Sequence, residues 1–159
     1  MKREDREPGN LDTDAVVVRT LEARDLDAIV RIDASATGKP RREYYRDKVA
    51  ASLGNSRLRT SLIAELEGIV VGFLMATTHY GEFGQADPVA VIDSLGVHKD
   101  FQHQHVGSAL MRQFLMNARA LGVSKLRTEL AWNEVDLVRF FDRHGFKHGG
   151  RIVLENDLG

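Results

Sequence analysis

Strand-like and helix-like segments alternate along almost all of this sequence, and no other feature restricts the fold as much. Between Val89 and Leu121, a β-branched run, a short loop and an apolar stripe at helical spacing follow one another directly. Similar signals predict strands near 15–21, 60–66, 69–78, 89–97, 124–130 and 151–155, and helices near 22–35, 41–53, 105–121 and 134–144. This order is typical of a mixed α/β fold. We therefore expect a single domain over 14–159, preceded by a mobile tail at 1–13.

The composition excludes several classes of function. The 159 residues include no cysteine, which rules out a disulfide scaffold, a thiolate zinc site and a cysteine nucleophile. The 22 Lys and Arg residues nearly balance the 23 Asp and Glu residues, so we expect no nucleic-acid partner. No apolar run approaches the roughly 20 residues that cross a bilayer, and the charged start lacks the apolar core of a signal peptide. We therefore expect a cytoplasmic protein with no membrane contact.

The loop between the strand at 89–97 and the helix from His105 is the first candidate ligand site. The N–H groups at the start of a helix, with the helix dipole behind them, bind phosphate groups well. Gly107 in the first turn would let a ligand approach the backbone closely. An ordinary strand–loop–helix connection would show the same pattern, so both interpretations are open at this point.

Two motifs resemble those of the GNAT superfamily of acyl-CoA N-acyltransferases. Gln102 and Gly107 occupy the first and last positions of the motif Gln/Arg-x-x-Gly-x-Gly/Ala. The segment 132–146 resembles the second motif, Asn-x-x-Ala…Tyr-x-x-x-Gly-Phe, and the element order fits from Val16 to about Glu155. The resemblance implies a strongly twisted mixed α+β sheet flanked by four helices and splayed open where pantetheine enters. It also implies acetyl transfer from acetyl-CoA to a primary amine of a small molecule or a protein.

The resemblance also implies which residues bind the cofactor. Backbone N–H groups at 103–108 would hold the diphosphate, and an N–H at Leu95 or Val97 would polarise the thioester carbonyl. Asn133 would contact the pantetheine arm, although a helix N-cap before Glu134 explains it as well. The expected coenzyme-binding residues are Leu95, Gly96, Val97, Gln102, His103, Gln104, His105, Val106, Gly107, Ser108, Asn133 and Phe141.

Two positions depart from the family pattern. His105 stands where the first glycine of the motif is usual, so its side chain must point away from the diphosphate. Phe141 stands where the family commonly has a tyrosine that protonates the departing thiolate, and phenylalanine has no proton to give. Together they support an alternative function, a non-catalytic or weakly catalytic acyl-CoA-binding module.

The attacking amine must be neutral, which requires a base. Strict alternation along the strand places Asp93 on one face with Leu95 and Val97, so Asp93 is the expected catalytic base. The alternative for Asp93 is a structural carboxylate at a strand bulge. Glu82 is the second candidate base, although an acidic loop residue is more often plain surface, and Tyr80 and Phe83 would line the acceptor site.

The histidines and the chain's self-association complete the sequence predictions. His103 and His105 would diverge by about 200° if both were helical, so we expect no metal site, and a histidine-dependent metal protein is the weakest alternative. A homodimer through the C-terminal strands is plausible for a chain with this resemblance.

Overall fold

The computed structural model describes residues 15–54 and 60–159, and the expected tail at 1–13 lies outside them. The chain forms two compact units, one ending at Thr128 and the other spanning Glu129–Gly159, and each is described by itself. The elements of the first unit within the described residues are β1 (Val16–Thr20), α1 (Leu26–Thr37), α2 (Arg42–Gly54), β2 (Leu62–Leu66), β3 (Ile69–His79), β4 (Val89–Val97), α3 (Val106–Ala120) and β5 (Lys125–Thr128). The second unit contains α4 (Val135–Arg143). Whether 14–159 behaves as a single domain stays a prediction.

The described strands form one mixed sheet in the order β1-β2-β3-β4-β5. Neighbouring strands are antiparallel from β1 to β4, whereas β4 and β5 run parallel. The tight turn between β2 and β3 falls at Glu67 and Gly68, whose φ angles of 51° and 79° are the positive values that a two-residue hairpin needs. The parallel pair requires a crossover connection, which α3 supplies. The predicted mixed sheet is confirmed.

Helix α3 packs closely against β3 because β3 has no side chain at Gly72. A Cβ atom built at Gly72 would lie 2.8 Å from Val106 Cγ1 and 3.2 Å from Leu110 Cδ1. Both of these α3 side chains are fully buried. The helix that begins at Val106 is therefore held directly on one face of the sheet.

Gly96 in β4 serves the same purpose on the other face, and it provides a test of that packing. A Cβ atom at Gly96 would lie 2.5 Å from the ring of Phe73 and 3.3 Å from Ile32 of α1, both fully buried. We expect Gly96→Ala to lower the free energy of unfolding by about 1–3 kcal/mol, as overpacking does. Urea unfolding measures this, with Gly54→Ala as the control because that position is open. Equal stabilities of the two variants would contradict the assigned contact.

A buried polar cluster joins the start of α2 to α1. Arg41 donates two hydrogen bonds to Asp33, of 2.8 and 2.6 Å, and the hydroxyl of Tyr45 donates a third of 3.0 Å. The bonds from Arg41 hold the pKa of Asp33 below its ordinary value. Burial acts in the opposite direction, but its effect on that pKa is smaller. Burial and the neighbouring Asp33 raise the pKa of Tyr45. Tyr45 is therefore a core residue, buried between α1 and α2.

The lowered pKa of Asp33 predicts an acid-sensitive contribution to stability. Since the folded state binds the Asp33 proton less tightly than the unfolded chain, the contribution is complete above the unfolded pKa of about 3.9 and lost as pH falls through the lower folded value. We expect Asp33→Asn to destabilise by about 1 kcal/mol or more at pH 7, and by less at pH 3. Urea unfolding at both pH values measures this. Asp27→Asn, in an exposed pair with Arg42, should change stability little at either pH.

The expected strand at 151–155 is wrong. Residues 147–149 and 151–159 have no regular secondary structure, and Ile152 and Leu154 are 83% and 84% exposed. The short apolar run Ile152 to Leu154 suits a strand, but a strand also needs a neighbour to share its hydrogen bonds, and the run cannot show one. In the second unit, α4 ends as predicted near Gly145, whose φ is 88°.

Candidate active site

The edge of β4 that faces β5 is open over half of its length. β5 pairs only with Val89 to Ile92, so the rest of β4 has no β5 partner among the described residues. The N–H of His98 donates to Val71 O at 2.9 Å, which fixes the phase of hydrogen bonding along the antiparallel pair. By alternation, the peptide groups of Leu95 and Val97 point away from β3, toward the open edge. Two backbone donors therefore lie where the sheet separates.

A β-bulge interrupts β4 at Asp93. Ile92 and Ser94 each have a partner on β3, whereas Asp93 lies between them without one. The Nζ of Lys48 in α2 bonds both Asp93 Oδ1, at 2.8 Å, and Ser94 Oγ, at 3.0 Å. Consecutive side chains of a regular strand point to opposite faces, so one amine reaching both shows that the extra residue redirects the Asp93 carboxylate.

The prediction that Asp93 shares a face with Leu95 and Val97 is therefore wrong. Leu95 lies opposite Leu74, which alternation places with Gly72 on the α3 face. Asp93 contacts α2 on the other face. Strict alternation failed because it assumes one residue per pairing step, and the bulge adds a residue. The structural alternative stated for Asp93, a carboxylate at a bulge, describes its backbone correctly.

Asp93 and Lys48 line a cavity of about 430 Å³. The Asp93 side chain is 40% exposed, against 19% for Lys48. A second hydroxyl, that of Tyr44, lies 3.3 Å from the Lys48 ammonium, which is thus surrounded by oxygen atoms. The other residues that line the cavity are Ala51, Ser52, Thr60, Ser61, Met75, Ala76, Thr77, Thr78 and Tyr80. The carboxylate and the polar lining could hold and deprotonate an amine.

The other three residues expected at the acceptor site lie in different places. Tyr80 lines the same cavity as Asp93, and its role at the acceptor site stays a prediction. Glu82 lies instead 3.0 Å from His79 Nδ1, beside a separate small recess that includes Arg127. Phe83 is 77% exposed and lines neither cavity. The structure therefore brings Tyr80, and not Glu82 or Phe83, together with Asp93.

The start of α3 follows a backbone path unusual for the residues that form it. The helix begins at Val106, one residue later than predicted. His103 and His105 have φ angles of 63° and 61°, the left-handed region that glycine adopts most easily. Ala109 donates the first α-helical hydrogen bond, to His105 O at 3.0 Å, so the N–H groups of Val106 and Gly107 lie before the helical ladder. His105 thus adopts a backbone conformation that glycine adopts most easily.

Two expected coenzyme contacts belong to the second unit. Glu134 and not Asn133 occupies the N-cap position of α4, so the capping explanation of Asn133 is wrong. Phe141 is buried, with ring centroids 5.4 Å from Phe140 and 5.0 Å from Phe146. Neither of these two neighbouring rings carries a group that could donate a proton.

Sequence reasoning missed Lys48, the residue that contacts the predicted base most directly. Lys48 and Asp93 are 45 residues apart in the chain, and no motif joins them. The contact could not be predicted from local sequence, because only the tertiary position of α2 brings the amine to the carboxylate.

The described residues contain neither a cluster suited to a metal ion nor a helix suited to a membrane. Within 15–54 and 60–159, His, Asp and Glu side chains form no group of three or more suited to holding a metal ion. Over the same ranges, no helix has the length and apolar character that spanning a membrane requires.

Residues 26–146 match the model of the Acetyltransferase (GNAT) family. This match covers well over half of the chain, so the protein belongs to the GNAT acetyltransferase family. A comparison with curated protein sequences gives no significant match.

Solved structures with low sequence identity share the fold. Aminoglycoside N-acetyltransferase AAC(6')-Iy in complex with CoA has a TM-score of 0.75 at 15% identity, over 91% of this chain and 95% of that one. Ribosomal-protein-alanine N-acetyltransferase from Brucella melitensis biovar Abortus 2308 has a TM-score of 0.71 at 19% identity, over 90% and 100%. A transcriptional regulator from Bacillus halodurans C-125 has a TM-score of 0.71 at 20% identity, over 89% and 99%. The predicted GNAT fold is confirmed.

Proposed function

We propose that this protein transfers the acetyl group of acetyl-CoA to the primary amine of a small molecule or a protein. The amine nitrogen attacks the thioester carbon, so a C–N bond forms and the C–S bond breaks. An ammonium acceptor loses two protons in the process. One proton ends on sulfur to give free coenzyme A, and the base passes the other to solvent.

The observation that carries this proposal is the bulge at Asp93 beside the open edge of β4. The bulge directs a carboxylate into the cavity, and the next residues along the strand present the N–H groups of Leu95 and Val97 at the open edge. We assign Asp93 as the general base and these N–H groups as donors to the thioester oxygen. Gly96 supports the arrangement through packing, since its N–H points to β3 and its missing side chain accommodates Phe73.

The start of α3 supports diphosphate binding. Two left-handed residues, His103 and His105, precede N–H groups outside the helical ladder, and backbone of this kind forms anion-binding concavities. The side chain of Gln102 stays close to β4, 3.4 Å from Val97 O. We therefore assign the backbone at 103–108 to the coenzyme diphosphate. Asn133 and Phe141 are assigned to the pantetheine arm and the thioester sulfur on resemblance alone.

The alternative is an acyl-CoA-binding module with little or no turnover, which Phe141 favours because it supplies no proton. Incubation of the protein with acetyl-CoA and a broad panel of amines, with detection of free thiol, separates the two functions. We expect at least one amine to release thiol and to gain one acetyl group by mass spectrometry. Coenzyme binding without thiol release above the protein-free rate would favour the binding module.

Three further assignments stay predictions. They are a cytoplasmic location, the absence of a nucleic-acid partner and a homodimer. Glu82 is the reserve candidate for the base, acting through water, although it lies in a different recess from Asp93.

A further inference from the structure

The charges that line the Asp93 cavity restrict the acceptor. Among the described residues that line it, Lys48 is the one cation and Asp93 the one anion, so their formal charges cancel. The remaining polar side chains are neutral hydroxyls, those of Ser52, Thr60, Ser61, Thr77, Thr78 and Tyr80. An acceptor with several positive charges would meet one carboxylate, which already faces an ammonium group. The lining therefore suits an acceptor whose own charges also cancel.

The Asp93 carboxylate has an oxygen available to the amine of such an acceptor, and the acceptor's carboxylate would replace Asp93 as a partner of Lys48. Among the described residues, Asp93 Oδ2 accepts no hydrogen bond, whereas Oδ1 is held by Lys48 at 2.8 Å. Ser94 and Tyr44 hold the Lys48 ammonium from their own directions at 3.0 and 3.3 Å, which keeps it at the cavity wall if the acceptor draws it from Asp93. The hydroxyl of Thr78 is buried without a hydrogen-bond partner among the described residues, so a polar ligand atom could satisfy it.

We propose that the acceptor is a free α-amino acid, bound as a zwitterion against the Lys48–Asp93 pair. In an α-amino acid, standard bond lengths place the nitrogen about 2.7–3.6 Å from the carboxylate oxygens. That separation is close to the 2.8 Å between Lys48 Nζ and Asp93 Oδ1. The two charges of the amino acid can therefore lie side by side with the two charges of the ion pair, each against its opposite. The substrate carboxylate contacts Lys48, and its amine contacts Asp93, which takes up the amine proton. This inference rests on the proposed acetyl transfer and names its substrate class.

The experiment compares each of the twenty amino acids with its carboxamide, which keeps the amine and removes the negative charge. Thiol release from acetyl-CoA gives kcat/KM for each pair, and spermidine serves as the polycationic acceptor. We expect an amino acid to exceed its carboxamide and spermidine by roughly tenfold or more. Lys48→Met should remove that preference by lowering kcat/KM more for the amino acid than for its carboxamide. Lys125→Met, which removes an exposed lysine of β5, should preserve it.

A second measurement keeps failure of the inference distinct from failure of the proposed function. Calorimetry measures binding of the same pairs to protein saturated with coenzyme A, where no acetyl group is present. Selective binding of an amino acid, lost in Lys48→Met, supports the inference even if no thiol is released in the first assay. Carboxamides or spermidine that match or exceed the amino acids overturn it, as does an equal loss for both members of a pair in Lys48→Met. No amino-acid binding at millimolar concentration together with no transfer to amino acids also overturns it.

Discussion

Asp93→Asn is expected to lower the rate of acetyl transfer by roughly 10²-fold or more, within the usual range for loss of a general base. The amide keeps the size of the side chain and one acceptor oxygen, but it cannot take up a proton at neutral pH. Coenzyme binding should change little, because the carboxylate lies at the bulge of β4, away from the start of α3. The measurement is kcat/KM for one accepted amine, together with coenzyme affinity by calorimetry.

The pH dependence of that deficit separates a base from a structural carboxylate. The difference between wild type and Asp93→Asn should shrink as pH rises, because more of the acceptor amine is then already neutral. Ser94→Ala is the matched control, since it removes the neighbouring contact to Lys48 and leaves the carboxylate. Overlaying pH–rate profiles of Asp93→Asn and wild type would return Asp93 to a structural role and make Glu82 the next candidate.

Gly107→Val is expected to weaken coenzyme A binding by more than tenfold. A diphosphate accepting hydrogen bonds from the first turn of α3 must lie close to the backbone there, and a branched side chain would occupy that space. Gly107 is not among the buried residues of α3, so the substitution leaves the apolar side chains that pack on the sheet unchanged. Calorimetry with coenzyme A measures the effect, after circular dichroism has shown that the variant is folded.

Ala120→Val provides the control for that prediction. It also introduces valine into α3, at the exposed last residue of the helix and far from the first turn, so it tests whether a branched side chain elsewhere in α3 affects binding. Coenzyme affinity should therefore match wild type. An unchanged affinity in folded Gly107→Val would refute the placement of the diphosphate.

The fold was largely predictable because its elements carry local signals. The turn at Glu67 and Gly68 and the apolar stripe of α3 appear in the sequence as a tight-turn pair and a period of four. The strand expected at 151–155 failed because its signal has the same strength whether or not a neighbour is there to pair with it. Local patterns thus indicated the secondary structure that each segment favours. Whether a segment forms a strand also depends on a neighbouring strand that pairs with it.

The candidate site was predictable in its backbone and less so in its side chains. The strand–loop–helix at Val97 to Val106 follows from local sequence. The direction of Asp93 and its contact with Lys48 do not, because a bulge depends on the register between β3 and β4 and the contact depends on helix packing. The left-handed backbone at His105 was equally hidden, since histidine seldom adopts it.

The extra residue in β4 also governs how this strand can change without losing its site. It divides the strand into two segments whose inward and outward positions are out of phase, before and after Asp93. Deleting Asp93 would restore continuous pairing with β3, and because Ile92 and Ser94 already have adjacent partners there, every other side chain would keep its face. Up to Ile92 the even-numbered positions face α3, whereas from Ser94 onward the odd-numbered positions do. The face that a substituted side chain enters therefore depends on its segment. A deletion at Asp93 would thus remove the carboxylate from the site while leaving the rest of the strand in register.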